Sequence, residues 1–116
     1  MSAEDPIVIV GMARTPMGGL MGELAGLSAN ELGAEAVKAA LAEAGVAGDD
    51  VDLIYMGNVL SAGQGQAPAR QAAIKGGLPK SVEATTLNKM CGSGMQAVIM
   101  AHDQIKAGTN NIMIAG

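Results

Sequence analysis

Aromatic side chains are almost absent from this sequence of 116 residues, which contains one tyrosine, Tyr55, and neither phenylalanine nor tryptophan. Proteins that bind unpaired bases stack them on such rings, so this class of function is disfavoured. Basic residues are also few, since seven Lys and Arg stand against eleven Asp and Glu and give a formal net charge of −4. Because phosphate backbones are bound by clustered positive charge, we expect no nucleic acid partner.

Long hydrophobic runs are missing as well. The first apolar run, residues 7–10, follows an acidic start and is broken soon afterwards by Gly11 and Pro16, a pattern unlike a secretory signal. No segment approaches the roughly 18 consecutive apolar residues of a membrane-spanning helix. The sequence therefore predicts a cytoplasmic protein without a membrane partner.

Cysteine and histidine each occur once, as Cys91 and His102. A single cysteine excludes an internal disulfide framework and a cysteine-rich metal site, and it leaves either a buried thiol or a reactive one. The two residues are too far apart to act as nucleophile and base, because their separation of eleven positions on one helix spans about 16 Å against a hydrogen-bond reach of about 3 Å. His102 is instead predicted to be a packing histidine, satisfied or partly exposed.

The residues that are present predict one packed, aliphatic domain. Hydrophobic residues make up 49% of the chain and charged residues 16%, which is too apolar for a disordered protein. Extended and helical segments alternate, which predicts parallel strands joined by right-handed crossovers. We predict an α/β fold, a mostly parallel sheet with flanking helices, with strands at residues 7–11, 51–56, 82–87 and 111–115 and helices at residues 29–44, 68–75 and from Gly92 to a stop at Gly108.

Local signals support these elements. Ser28 and Glu31 have the spacing of a capping box, and Gly45 is a typical helix stop. The strand at residues 7–11 is predicted to be buried on both faces, because it is a β-branched run without polar residues. In the last helix Met95 is placed on the buried face by its spacing. The chain ends directly after a predicted strand, so we expect a fragment of a longer fold.

The chemistry concentrates at Cys91, in the segment Asn88-Lys-Met-Cys-Gly-Ser-Gly94 between a strand and a helix. A helix N-terminus offers unpaired amides and a positive dipole end, which favour a thiolate and can donate to a thioester oxyanion. Gly92 and Gly94 leave room beside the sulfur for a bulky acyl donor, and Lys89 adds a positive charge. The alternative is a structural cysteine, because free cysteine is among the most buried residue types.

Dinucleotide binding is a second alternative at the same turn. Residues 92–97 match the G-x-G-x-x-A fingerprint between a strand and a helix. That function needs an acidic residue about 20 positions later on the next strand. Residues 111–116 contain no acid, and Asp103 comes too early, so nucleotide binding is disfavoured. The loop at residues 57–66, rich in Gly and Gln, has a length that predicts a functional role.

The segment Asn88-Lys-Met-Cys-Gly-Ser-Gly-Met-Gln-Ala-Val98 resembles the acyl-enzyme segment of thiolases, the family of acetyl-CoA acetyltransferases and 3-ketoacyl-CoA thiolases. Further segments resemble that family in the expected order, at residues 13–18, 57–72 and 112–116. Residues 1–116 are thus similar to the N-terminal part of the thiolase N-terminal domain. The resemblance implies a thiolase-like α/β fold of which this chain is an incomplete first half.

The resemblance also implies a two-step acyl transfer with Cys91 as the nucleophile. Cys91 would take an acyl group from an acyl-CoA or a 3-ketoacyl-CoA, and a second acetyl-CoA or free CoA would then resolve the acyl-enzyme. The implied reactions are condensation of two acetyl-CoA to acetoacetyl-CoA and thiolytic cleavage of 3-ketoacyl-CoA, as in fatty acid metabolism. CoA is the substrate carrier, and no separate cofactor or metal is implied.

The family's histidine base, its second catalytic cysteine and most of its CoA contacts have no counterpart in these residues. We therefore expect this chain alone to be inactive, and the full-length protein to be a homodimer or homotetramer. Two other functions stay open. One is a thiolase-like protein that binds acyl-CoA or lipid without catalysis, and the other is a related condensing enzyme such as a ketoacyl synthase.

Overall fold

A computed structural model describes residues 5–116, and this part of the chain contains three α-helices and three β-strands. The helices are α1 (Ala29–Ala44), α2 (Pro68–Lys75) and α3 (Ser93–Lys106), and the strands are β1 (Leu53–Gly57), β2 (Glu83–Leu87) and β3 (Met113–Ala115). A short 3-10 helix at Gly48–Asp50, which the sequence did not indicate, precedes β1. The strands form a parallel sheet in the order β2-β1-β3. The predicted α/β class is confirmed.

The ends of α1 follow from local hydrogen bonding. The amide of Glu31 donates to Ser28 Oγ at 3.2 Å, and the amide of Ser28 donates to the Glu31 carboxylate at 2.7 Å. The bond from the Ser28 amide is the main reason that the pKa of Glu31 lies below its ordinary value. Gly45 ends the helix in the left-handed conformation, with φ of 66°. The predicted capping box and helix stop are both confirmed.

The hydrophobic core lies on both faces of the central strand β1. Ile54 is fully buried and packs on the side of α1 and α2, in a cluster of buried aliphatic residues: Val37, Val51, Ala73, Leu78 and Val82. Leu53 and Tyr55 point to the other face, where they pack against Ala97 and Ala101 of α3. β1 is therefore covered on both faces. Its neighbour β2 leads into the turn that contains Cys91.

The prediction of a buried strand at residues 7–11 is wrong. Val8, Ile9 and Val10 are 70%, 76% and 61% exposed. The segment passes close beside α1 at Gly11, where an added Cβ would lie 2.6 Å from the Ala40 carbonyl oxygen. An apolar cavity of about 480 Å³ lies between this segment and β3. The β-branched pattern is typical of a strand, but the cavity separates the segment from β3 and residues 7–11 form no strand.

The prediction that Met95 lies on the buried face of α3 is also wrong. Met95 is 75% exposed, and Val98 and Ile99 are 41% and 46% exposed. The buried residues of this helix are the small ones, Ser93, Ala97 and Ala101. Small residues face the sheet because α3 begins in direct contact with the end of β1, where no large side chain fits.

No helix among residues 5–116 is both long enough and apolar enough to cross a membrane.

Candidate functional site

Cys91 lies in the short turn between β2 and α3, where its side chain is exposed. The strand ends at Leu87, and α3 begins at Ser93 with Gly92 as its N-cap residue. The structure therefore places the thiol immediately before a helix N-terminus, as the sequence predicted. Its exposure argues against the alternative of a buried structural cysteine.

The turn is held by side chains on both sides of Cys91. Met90 has a left-handed backbone, with φ of 49°, and its amide donates to Asn88 Oδ1 at 2.9 Å. The hydroxyl of Ser93 donates to the Met90 carbonyl oxygen at 2.6 Å and accepts from the Lys89 amide at 2.9 Å. Ser93 is only 5% exposed. The residues preceding Cys91 are thus fixed by specific hydrogen bonds.

The first turn of α3, which follows the Cys91 turn, has backbone amides without acceptors. The amide of Ser93 donates to the Met90 carbonyl at 3.1 Å, and that of Gln96 donates to Gly92 at 2.9 Å. Within the described part of the chain, the amides of Gly94 and Met95 donate to no acceptor. Free amides at a helix N-terminus are suited to an oxygen that becomes negatively charged during acyl transfer.

Lys89 lies beside this turn. Its Nζ donates to Gln96 Oε1 at 2.9 Å, so the side chain runs along the first turns of α3. No group of three or more His, Cys, Asp and Glu side chains among residues 5–116 is arranged to hold a metal ion.

The loop between β1 and α2, which the sequence marked as functional, lies beside the Cys91 turn. The amide of Asn58 donates to the Leu87 carbonyl at 2.9 Å, and Asn88 Nδ2 is 3.5 Å from the Val59 carbonyl oxygen. These contacts join the start of the loop to the end of β2 and to the turn. The start of the loop thus contacts Asn88, at the beginning of the turn that contains Cys91.

Asn30 fixes the other end of this loop and was missed by the sequence analysis. It is 6% exposed on α1, and its Nδ2 donates to the Gln64 carbonyl at 3.2 Å and to Gln71 Oε1 at 2.8 Å. Gln71 Nε2 in turn donates to the carbonyls of Gln64 and Gln66. The available signal was spacing, since Asn30 shares one helix face with the buried residues Ala34 and Val37.

His102 is paired with Asp5, away from the Cys91 turn. Its Nε2 is 2.6 Å from Asp5 Oδ2, its Nδ1 is 3.2 Å from Asp103 Oδ1, and its side chain is 35% exposed. The hydrogen bond with Asp5 is the main cause that raises the pKa of His102 above its ordinary value. The same bond and the Ile7 amide lower the pKa of Asp5. The prediction of a satisfied, partly exposed histidine is confirmed.

Comparisons with known proteins agree along almost the whole chain. A family model described as the N-terminal domain of thiolase matches residues 7–116. The chain is 49% identical to the mitochondrial acetyl-CoA acetyltransferase of Xenopus tropicalis over 97% of its length, which is 27% of that protein. It is also 49% identical to the cytosolic acetyl-CoA acetyltransferase of Gibberella zeae over 96% of its length, or 28% of that protein.

A solved structure shows the same fold. The Acat5 thiolase from Ascaris suum, determined in complex with coenzyme A, superposes with a TM-score of 0.90 and 38% sequence identity. The match covers 92% of this chain and 28% of that one. The chain therefore spans little more than a quarter of the length of the proteins it matches.

Proposed function

Because this chain belongs to the thiolase family, as its sequence resemblance predicted, we propose that Cys91 accepts an acyl group from a CoA thioester. The observation that carries the proposal is the exposed thiol in the turn immediately before α3. Within the described residues, the first turn of that helix has unpaired amides at Gly94 and Met95. A nucleophile next to preorganised donors is the arrangement that acyl transfer needs. CoA is the substrate carrier in this proposal, with no separate cofactor.

The first step exchanges one thioester for another. The sulfur of Cys91, as the thiolate, attacks the acyl carbonyl carbon, and the carbonyl oxygen gains negative charge next to the free amides. The bond from carbon to the CoA sulfur then breaks, and CoA leaves as a thiolate that takes up a proton. Dividing the reaction in this way replaces one difficult acyl transfer by two easier ones.

The second step resolves the acyl-enzyme in either of two directions. The methyl carbon of acetyl-CoA, after losing a proton, attacks the acyl group and gives a 3-ketoacyl-CoA, whereas attack by the CoA thiolate regenerates an acyl-CoA. In both directions the bond from the acyl carbon to the Cys91 sulfur breaks, and Cys91 is released as the thiolate. Two relatives are named acetyl-CoA acetyltransferases, which favours the acetyl group and a reversible condensation to acetoacetyl-CoA. For the complete protein we propose a homodimer or homotetramer in the cytoplasm, although one of these relatives is mitochondrial.

We further propose that residues 1–116 alone do not complete the cycle. His102 bonds Asp5 and lies eleven residues after Cys91, well along α3. At about 16 Å along a helix, it is beyond hydrogen-bond reach of Cys91 as a base. A catalytic cycle needs an acid and a base within hydrogen-bond reach of the reacting atoms. Thiolysis of acetoacetyl-CoA by the purified chain, lost in Cys91→Ser, would contradict this proposal.

Intact-mass spectrometry after incubation with acetyl-CoA tests the proposed role of Cys91. The proposal expects one covalent acetyl group on the chain and none on Cys91→Ala. The second candidate function, acyl-CoA or lipid binding without catalysis, predicts non-covalent binding of an acyl-CoA with no adduct on either protein. The same samples distinguish the two functions.

A further inference from the structure

Met90, the residue before Cys91, has an unusual backbone for its type. Its φ of 49° lies in the left-handed region, which residues with a Cβ rarely adopt. Residues in such conformations persist only where their surroundings enforce them. At Met90 the surroundings act on both of its backbone polar groups, because the amide is bound by Asn88 Oδ1 and the carbonyl by Ser93 Oγ.

Asn88 acts from the strand side of the turn. Its Oδ1 accepts the Met90 amide at 2.9 Å, and its Nδ2 faces the Val59 carbonyl oxygen at 3.5 Å. A short side-chain amide that binds the backbone two residues later stabilises a local turn in place of a continued strand. Asn88 therefore turns the chain away from β2 and connects the turn to the neighbouring loop.

Ser93 acts from the helix side. Its buried hydroxyl bridges the Lys89 amide and the Met90 carbonyl, at 2.9 Å and 2.6 Å. Its Cβ is also held in place, since it lies against the glycine at the end of β1, Gly57. The turn is thereby tied to the sheet as well as to α3.

We propose that Asn88 and Ser93 are positioning residues, which keep Met90 left-handed and so fix the Cys91 thiol at the start of α3 for acyl transfer. Neither side chain touches the acyl group in this role. The inference rests on the proposed function, because it concerns the geometry of attack on a thioester. Small displacements of a reacting atom have large effects on rate, so a relaxed turn slows acylation even when the thiol stays accessible.

Two reactions of Cys91 separate positioning from access. Transfer of the acetyl group from acetyl-CoA needs the sulfur and the oxyanion donors in register, whereas alkylation by iodoacetamide needs only a reachable thiol. Both rates are measured by intact-mass spectrometry on the chain, with a buffer base to take the proton. The same reactions in concentrated urea give the rates of the unfolded chain, and circular dichroism verifies that each variant is folded.

The variants are Asn88→Ala, Asn88→Ala with Met90→Gly, and Asn111→Ala. Loss of one net hydrogen bond predicts an acetylation rate about tenfold lower in Asn88→Ala, and an alkylation rate within about twofold of the wild type. Glycine adopts the left-handed conformation without help, so Met90→Gly restores most of the acetylation rate in the double variant. Asn111→Ala, an exposed asparagine on the approach to β3, is the matched control and retains both rates.

The inference is overturned if Asn88→Ala is acetylated as fast as the wild type, if both reactions slow together, or if Met90→Gly gives no recovery. Ser93→Ala adds an independent arm, with the same selective loss of acetylation expected in a folded variant. If the proposed function itself is wrong, the result is different: the folded wild-type chain is acetylated no faster than the chain in urea.

Discussion

Gly57 and Ser93 are in direct contact, so that a Cβ added at Gly57 would lie 2.6 Å from the Cβ of Ser93. The contact joins the end of β1 to the first turn of α3. Since Ser93 also holds the carbonyl of Met90, the position of the Cys91 turn depends on a glycine in a different strand. The relationship explains why small residues face the sheet at the start of α3.

Replacing Gly57 by Ala therefore displaces the start of α3. The added methyl also meets backbone atoms of Ser93 and Gly94, which have no flexible side-chain end to move aside. We expect the free energy of unfolding to fall by about 1–3 kcal/mol, the usual cost of overpacking, together with slower acetylation of Cys91. Urea unfolding followed by circular dichroism measures the first effect.

Gly26→Ala is the matched control for that prediction. A Cβ at Gly26 meets no atom within 4 Å, and its backbone is not left-handed. The account predicts unchanged stability and unchanged acetylation for this variant. Equal stability of Gly57→Ala and Gly26→Ala would show that the contact with Ser93 does not constrain the turn.

Ser28→Ala removes the side-chain cap of α1. The Glu31 amide loses its acceptor, and we expect a loss of about 1 kcal/mol in the free energy of unfolding, as for other N-cap substitutions. Ser61→Ala, in the exposed loop, is the control and is expected to leave stability unchanged. Chemical denaturation of both variants at neutral pH makes the comparison. A stable Ser28→Ala protein would contradict the capping box as a source of stability.

The pair of His102 and Asp5 predicts a pH dependence of stability. The pKa of His102 is raised above its ordinary value of 6.5, mainly by the hydrogen bond with Asp5. Because its pKa is raised in the folded protein, His102 contributes to the free energy of unfolding. This contribution is complete below about pH 6.5 and is lost as the pH rises through the pKa of His102 in the folded protein. The pKa of Asp5 is lowered from 3.8. The contribution of Asp5 to the free energy of unfolding is therefore lost only when the pH falls below 3.8.

The measurement is the unfolding free energy of the wild type and of His102→Gln as a function of pH. We expect the difference between them to be largest between about pH 4 and 6.5 and to shrink toward alkaline pH. Asp5→Asn is expected to remove the same dependence, because it removes the main cause of the raised pKa. A difference that grows with rising pH would contradict the pairing.

The two faces of α3 are expected to differ in their tolerance of substitution. Met95 is 75% exposed whereas Ala97 is fully buried against β1. Met95→Gln is therefore expected to change the free energy of unfolding by less than about 0.5 kcal/mol, and Ala97→Leu to lower it by about 1–3 kcal/mol. Thermal unfolding of the two variants decides between this face and the face predicted from sequence.

Local interactions account for the parts of the fold that the sequence predicted well. The limits of α1 depend on Ser28, Glu31 and Gly45, which act through hydrogen bonds and backbone conformation within a few residues. Pro68 and the glycine pair after Lys75 bound α2 in the same way. The turn with Cys91 was likewise predictable, because a strand and a helix with clear patterns lie on either side of it.

Tertiary contacts account for the parts that the sequence did not predict. Residues 7–11 have a strand-like composition, but their burial depends on a neighbouring strand that composition does not specify. The orientation of α3 depends on Gly57, a residue far away in sequence, and hydrophobic periodicity favoured its large side chains instead. Asn30 was missed because its partners Gln64 and Gln71 come into reach only after the loop folds.

Peptide mapping of the acetyl group tests whether Cys91 is the acyl acceptor. The folded chain is incubated with acetyl-CoA, digested, and examined by peptide mass spectrometry before and after treatment with neutral hydroxylamine, which cleaves thioesters. The account predicts a single acetyl group on the peptide that contains Cys91, removed by hydroxylamine and absent from Cys91→Ala. An unmodified Cys91 peptide, or an acetyl group that persists in Cys91→Ala, would contradict the assignment of Cys91 as the acyl acceptor.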